Sequence, residues 1–161
     1  MEHLWAPWRN SYVNADKKSS DTLFYDLGQS SNDDETHIFC RSKSAFVILN
    51  RFPYNTAHSL VIPYRLVAEL SDLSEAESAD LWQLVNRSVA AIRHVYQPQG
   101  FNIGINLGEM AGAGLPSHLH VHIVPRWNGD ANFMTTTGGT RVHPYDLPTV
   151  YRDLKKVLLE G

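Results

Sequence analysis

Residues 117–127 read SHLHVHIVPRW, a run in which three histidines stand at two-residue spacing among aliphatic residues before a proline closes it. A repeat of two is the strand repeat, so His118, His120 and His122 share one face while Leu119, Val121 and Ile123 share the other. Neighbouring histidine Cα atoms then stand about 6–7 Å apart. The aliphatic face has to be buried, and that fixes the register, because a slip of one residue would exchange the two faces. Three buried imidazoles without partners would be expensive, so the histidine face is expected to be a polar site.

The rest of the chain supplies a sheet for this strand. HIFCRS (37–42) and AFVILN (45–50) read as a β-hairpin, and SLVIP (59–63) reads as a third strand ended by Pro63. A long helix follows, because Ser74 and Glu77 form a capping box and Leu81, Val85, Val89, Ile92 and Tyr96 recur at helical steps. FNIGIN (101–106) is the fourth strand, LGEMAGAGLPS a glycine-rich loop, and HLHVHIVPRW (118–127) the fifth strand. Residues 128–146 read as a long loop and LPTVYRDLKKVLLE (147–160) as a terminal helix. Residues 1–13 are taken as an N-terminal arm. Residues 14–36, rich in Ser and Asp, are taken as a flexible surface loop. The class expected is α+β: an antiparallel sheet of about five strands in meander order, with one long and one C-terminal helix.

Composition narrows the function. A chain of 161 residues with 43% hydrophobic residues is expected to form one domain, residues 1–161. Its net charge of -3 excludes a general nucleic-acid binder but leaves room for a local phosphate pocket. Cys40 is the single cysteine, so no intrachain disulfide can form, and with no apolar run of membrane length the expected location is the cytoplasm.

Two chemistries suit a histidine row. Imidazoles on one strand can offer nitrogens to zinc. Alternatively, one neutral ring can attack phosphorus while its neighbours hold the phosphate oxygens, a division that a pKa near neutrality allows. The AGAG stretch ahead of the strand favours the second, since glycines let backbone amides approach an anion. Residues 106–127 offer a metal only Glu109 besides the histidines. A non-catalytic module that merely holds a nucleotide is the third reading.

HLHVHIV resembles the His-x-His-x-His-x-x signature of the histidine-triad (HIT) superfamily of nucleotide hydrolases and transferases. FVILNRFPYNTAHSLVIP, with Asn50 eight residues ahead of His58, resembles the family's strand–turn–strand. MEHLWAPWR and NLGEMAGAGLPSHLHVHIVPRWNGDANFM resemble the bacterial diadenosine tetraphosphate hydrolase or phosphorylase branch. The resemblance implies that His120 is the nucleophile and forms a nucleotidyl-histidine intermediate at the α-phosphorus. It implies that His122 and His58 hold phosphate oxygens and that His118 orients the site and helps protonate the departing group. Asn50 would contact the nucleoside and Asn106 the phosphate, with Ser117, Gly112 and Gly114 lining the phosphate path. The implied substrate is a dinucleoside polyphosphate, with water preferred over phosphate as acceptor because Gly114 has no side chain to hold a second phosphate. The implied assembly is a homodimer whose sheets join. No metal is needed for the nucleophile; magnesium would arrive with the substrate. Many members of that branch carry a Cys-x-x-Cys belonging to a structural zinc site. Thr22 and Tyr25 stand there in this chain, so no structural zinc is expected.

Trp127, just past the histidine strand, is a candidate for nucleobase contact, with packing as the alternative. Trp5 and Trp8 are read as arm-packing residues, and Cys40 as a buried small hydrophobe. His37, His94 and His143 are read as ordinary residues, and Arg126 as a partner for a phosphate or a carboxylate.

Overall fold

The computed structural model describes residues 21–131 and 144–160. Five strands, β1 (Ile38–Arg41), β2 (Ala45–Leu49), β3 (Ser59–Pro63), β4 (Gly100–Ile105) and β5 (Val121–Arg126), form one sheet in the order β1-β2-β3-β5-β4. All four pairings are antiparallel. The first three strands run as a meander. The simple order then fails: β5 inserts between β3 and β4, leaving β4 on the edge.

Both long helices lie where hydrophobic spacing puts them. Helix α3 spans Glu75–Tyr96; its N-cap Ser74 accepts from the Glu77 amide while the Glu77 carboxylate accepts from the Ser74 amide. This reciprocal pairing satisfies donors that the first turn leaves open. Leu81, Leu84, Val85, Ala91 and Ile92 form its buried stripe. Helix α4 spans Leu147–Glu160 and buries Val150, Tyr151 and Leu154. Together they cover one sheet face, packing on Val47, Val61, Val121 and Ile123.

The opposite face is covered only in part. Ile38, Phe46, Ile48, Leu60 and Ile62 make a second cluster under Phe24, Leu27 and Tyr64. Phe24 and Leu27 belong to α1 (Leu23–Gln29), which with the short α2 (Asp33–Thr36) replaces the loop expected over residues 14–36 for its described part. A seven-residue helix is too short to leave a clear periodic signature. Tertiary bonds hold it instead. Arg41 donates to the carbonyls of Gly28 (2.9 Å) and Ser30 (2.7 Å) and pairs with the Asp33 carboxylate at 2.7 Å. The guanidinium thus takes up acceptors that a helix C-terminus leaves unpaired.

Strand β5 begins at Val121 rather than His118. The reason lies in β3. Pro63 closes that strand and has no N–H for the ladder. Its carbonyl accepts from the His118 ring at 2.8 Å, and the Leu119 amide turns to the Val67 carbonyl at 2.7 Å. His118, in a bend, and His120 therefore lie just before the strand, outside its ladder. Beyond them the alternation is regular: Val121, Ile123 and Pro125 are buried, while His122, Val124 and Arg126 are partly or fully exposed.

Gly28 allows α1 to sit this close. A Cβ built there would lie 2.8 Å from Cε1 of Phe46 and 3.2 Å from the Tyr64 ring. Gly28→Ala should therefore destabilise the fold by about 1–3 kcal/mol through overpacking, despite alanine's better helix propensity. Urea unfolding measures this; an unchanged or higher midpoint would contradict the packing described.

Candidate active site

Four imidazoles converge where β3 and β5 meet: His58 just before β3, His118 and His120 just before β5, and His122 within it. The His120 and His122 ring centroids are 5.0 Å apart and those of His58 and His122 are 5.2 Å apart. Phe24 meets both His118 and His120 edge-on, at 5.9 and 5.2 Å. The rings form one connected group instead of dividing between the two sheet faces.

They are far less open than a solvent-facing polar row. His58 and His118 are 1% exposed and His120 is 5% exposed. Only His122 is half-buried. Burial is tolerated because each ring has at least one nitrogen partnered, and those partners decide the tautomers.

His120 Nδ1 lies 2.8 Å from the His118 carbonyl. A carbonyl can only accept, so Nδ1 carries the proton and Nε2 keeps its lone pair. Burial also pushes the pKa of His120 below the ordinary histidine value, outweighing the opposing effect of the carbonyl. His120 is thus a neutral imidazole, protonated at Nδ1, with Nε2 as its basic nitrogen.

His58 and His122 show the opposite order. The Tyr54 amide donates to His58 Nδ1 at 3.0 Å, which leaves the proton on Nε2. His58 Nε2 then donates to His122 Nδ1 at 2.9 Å, so His122 carries its own proton on Nε2. One backbone amide sets two rings in series. The Tyr54 ring stacks on His58 at 4.6 Å and lies nearly parallel to His122 at 6.1 Å. Asn50 Nδ2 is 3.4 Å from each ring nitrogen of His58, and its carbonyl oxygen accepts from the Phe52 amide.

His118 has a different job. Its Nε2 donates to the Pro63 carbonyl at 2.8 Å, and its Nδ1 is buried with no partner among the described residues. Burial lowers its pKa as well. Its contribution to the cluster is the backbone carbonyl that orients His120.

The other sequence candidates divide. Asn106 borders the same trough as His122 and Tyr54. Gly112 takes a left-handed conformation, φ 91°, closing the short turn Glu109–Ala111, and Gly114 is exposed between the buried Ala113 and Leu115. The Ser117 hydroxyl donates to the Asp21 carbonyl at 3.1 Å, tying the loop to the start of α1. Trp127 is not brought to the cluster: its indole N–H donates to the Tyr96 carbonyl at 3.2 Å, where it packs on the end of α3. Arg126 meets a carboxylate, Asp130, at 2.6 Å. Cys40 is only partly buried, and His37 caps α2 in the left-handed region with its ring against Tyr151. Trp5, Trp8 and His143 lie outside the described residues. Sequence reasoning missed Phe24 and Tyr54, which touch the histidines from segments far from residues 117–127; their aromatic character was the one signal that could have marked them.

The depressed pKa values carry a sign for stability. A histidine whose folded pKa lies below its unfolded value binds fewer protons in the native state, so the native state loses stability once pH falls below about 6.5. Urea midpoints should decline between pH 7.5 and 5.5, and His120→Gln should flatten part of that slope. A pH-independent midpoint would show that these rings are not held neutral.

A family model described as "HIT domain" matches residues 31–129. The chain is 42% identical over 98% of its length to an AP-4-A phosphorylase of Mycobacterium tuberculosis, covering 83% of that protein. It is 39% identical over 59% of its length to an asymmetrical bis(5'-nucleosyl)-tetraphosphatase of Schizosaccharomyces pombe, spanning about half (52%) of that protein. Among solved structures, a zinc-bound histidine triad family protein of Mycobacterium smegmatis superposes with a TM-score of 0.69 at 28% identity, over 86% of this chain and 93% of the other. The geometry and these matches lead to one family: the chain belongs to the HIT domain family.

Proposed function

We propose that this protein cleaves the phosphoanhydride bond at the α-phosphate of a dinucleoside polyphosphate through a nucleotidyl–His120 intermediate. The observation that carries this reading is the opposite tautomer order of adjacent rings, a lone pair on His120 Nε2 beside an N–H on His122. His120 Nε2 attacks the α-phosphorus, and the bond from phosphorus to the bridging oxygen breaks with its electron pair on the departing polyphosphate. His122 Nε2–H lies next to the charge that develops and stabilises it, in a site where burial strengthens the interaction. This moves the proton-donor role from His118, whose Nε2–H is given to Pro63, to His122. Likewise His58 acts through His122, since both its nitrogens are engaged. A polyphosphate is a good leaving group, so placing charge matters more than strong acid help.

Water or phosphate then attacks the phosphorus and releases His120. Water is the first reading, with the exposed Gly114 beside the path. The second, phosphate, is favoured by the relative named a phosphorylase, which aligns over nearly the whole chain. Diadenosine tetraphosphate should yield ATP in either case, with AMP if water is the acceptor, or with ADP only when phosphate is supplied. His120→Ala should lose several orders of magnitude in kcat while nucleotide affinity changes little. Failure of the wild type to release ATP would contradict the assignment.

The residues present do not fit a structural zinc. The Thr22 hydroxyl donates to the Asp26 carboxylate, Tyr25 is exposed, and Cys40 lies apart on β1. Among the described residues no three His, Cys, Asp or Glu side chains are placed to hold a metal ion. Magnesium would arrive with the substrate's phosphates.

We further propose that residues 1–161 act as one domain in the cytoplasm and as a homodimer joined at β4. Among the described residues no helix is long and apolar enough to cross a membrane. β4 is an edge strand with Ile103 44% exposed, and Leu107 and Met110 in the segment after it are exposed as well. Such an edge is a template for a second copy. Light scattering should give a dimer mass that Ile103→Lys converts towards monomer; a monomeric wild type would refute the assembly.

A further inference from the structure

The face that carries His122 is roofed by α1 only as far as β3. Over β5 and β4 it stays open as a trough of about 350 Å³ bordered by Tyr54, Asn102, Gly104, His122, Val124 and Arg126. Ligand pockets begin near this size. Register explains its floor. Gly104 lies opposite His122, Asn102 opposite Val124, and Gly100 opposite Arg126, so these pairs share one face. The trough therefore has an imidazole at its head and a guanidinium about 13 Å further along the strand, four residues away.

Two glycines in one six-residue strand are costly, because glycine weakens a strand and has no side chain to pack. Neither serves the packing of the described chain. A Cβ built at Gly100 or Gly104 meets no atom within 4 Å, and neither residue lies in the left-handed region that favours glycine. Gly28 is the contrast, since an added Cβ there would collide with Phe46. What Gly104 preserves is open volume next to His122.

The far end is polar and held in place. Arg126 gives Nε and Nη2 to Asp130 and Nη1 to the Asn102 carbonyl oxygen, three of the five N–H groups of a guanidinium. Asp130 also accepts from Asn55 and from the Trp127 amide. The bracket fixes the fork beside the trough while the Arg126 side chain stays 47% exposed.

Building on the reaction assigned above, we propose that this open half-face is the leaving-group subsite. The departing phosphate chain crosses Gly104 from His122 and runs towards Arg126 and Asn102, so the trough selects substrates whose leaving group is a nucleoside polyphosphate. The transferred nucleoside stays on the Asn50 side of the histidines.

The test compares a long and a short leaving group on one enzyme: diadenosine tetraphosphate and adenosine 5'-phosphoramidate. Gly104→Val fills the floor next to His122, and its ratio of kcat/KM for the long over the short substrate should fall about tenfold or more, with Gly104→Ala intermediate. Gly100→Val should lower the same ratio from the Arg126 end. Thermal midpoints of the valine variants should equal or exceed the wild type's, because valine suits a strand better than glycine. An unchanged ratio, whether both rates fall together or neither falls, would overturn the subsite while leaving the assigned reaction intact. A wild type that cleaves neither substrate would overturn both.

Discussion

The hydrogen bond from His120 Nδ1–H to the His118 carbonyl is the interaction on which the site depends. An imidazole is symmetric enough that either nitrogen could carry the proton, and a nucleophile needs the one facing the substrate to be bare. A backbone carbonyl two residues back settles the choice without a carboxylate, and burial keeps a second proton away. The carbonyl is itself held by its own side chain: His118 is anchored to Pro63, a residue that terminates a strand and so has a carbonyl to offer. The proline that ends β3, the point where β5 begins and the tautomer of His120, on which its proposed role as nucleophile rests, are parts of one arrangement.

The second half of the site is built from the other side of the sheet's centre. The turn Asn50–His58 delivers an amide to His58, and the proton order passes through His58 to His122. Ala57 occupies the left-handed region, φ 59°, immediately before His58. A non-glycine residue there costs about 1–2 kcal/mol, and the turn is held by the His58 amide on Asn55 and the Ser59 hydroxyl on Ala57. Local strain at a residue that aims an imidazole fits a chain whose precision is concentrated at that point. The two sheet faces complete the division of labour. One is closed by α3 and α4 and supplies stability, while the other is closed halfway by α1 and left open at the trough beside His122.

Much of this was legible in the sequence, for identifiable reasons. The β2 and β3 runs, the Ser74–Glu77 box and the Leu147–Glu160 helix are local signals, and each element lies where its pattern puts it. The alternation of histidines marked the site because a period of two is the strand signal, but that signal carries no information on where pairing begins. For that reason it could not show that the ladder starts at Val121. That start depends on Pro63, 58 residues earlier than Val121. Hidden too were the insertion of β5 between β3 and β4, the seven-residue α1 and the roles of Tyr54 and Phe24. Each arises from contacts between distant segments, and the Tyr54 role rests on a backbone amide that every non-proline residue possesses. Trp127 went the other way: position in the chain placed it near the site, but its indole N–H found its acceptor in the Tyr96 carbonyl.

The protonation order of the rings can be read directly. Long-range proton–nitrogen correlation spectra of the imidazoles at pH 7.5 should show His120 as the Nδ1–H tautomer with a bare Nε2, and His58 and His122 as Nε2–H tautomers. Finding His120 protonated at Nε2, or as an imidazolium, at that pH would contradict the account of how this cluster attacks phosphorus.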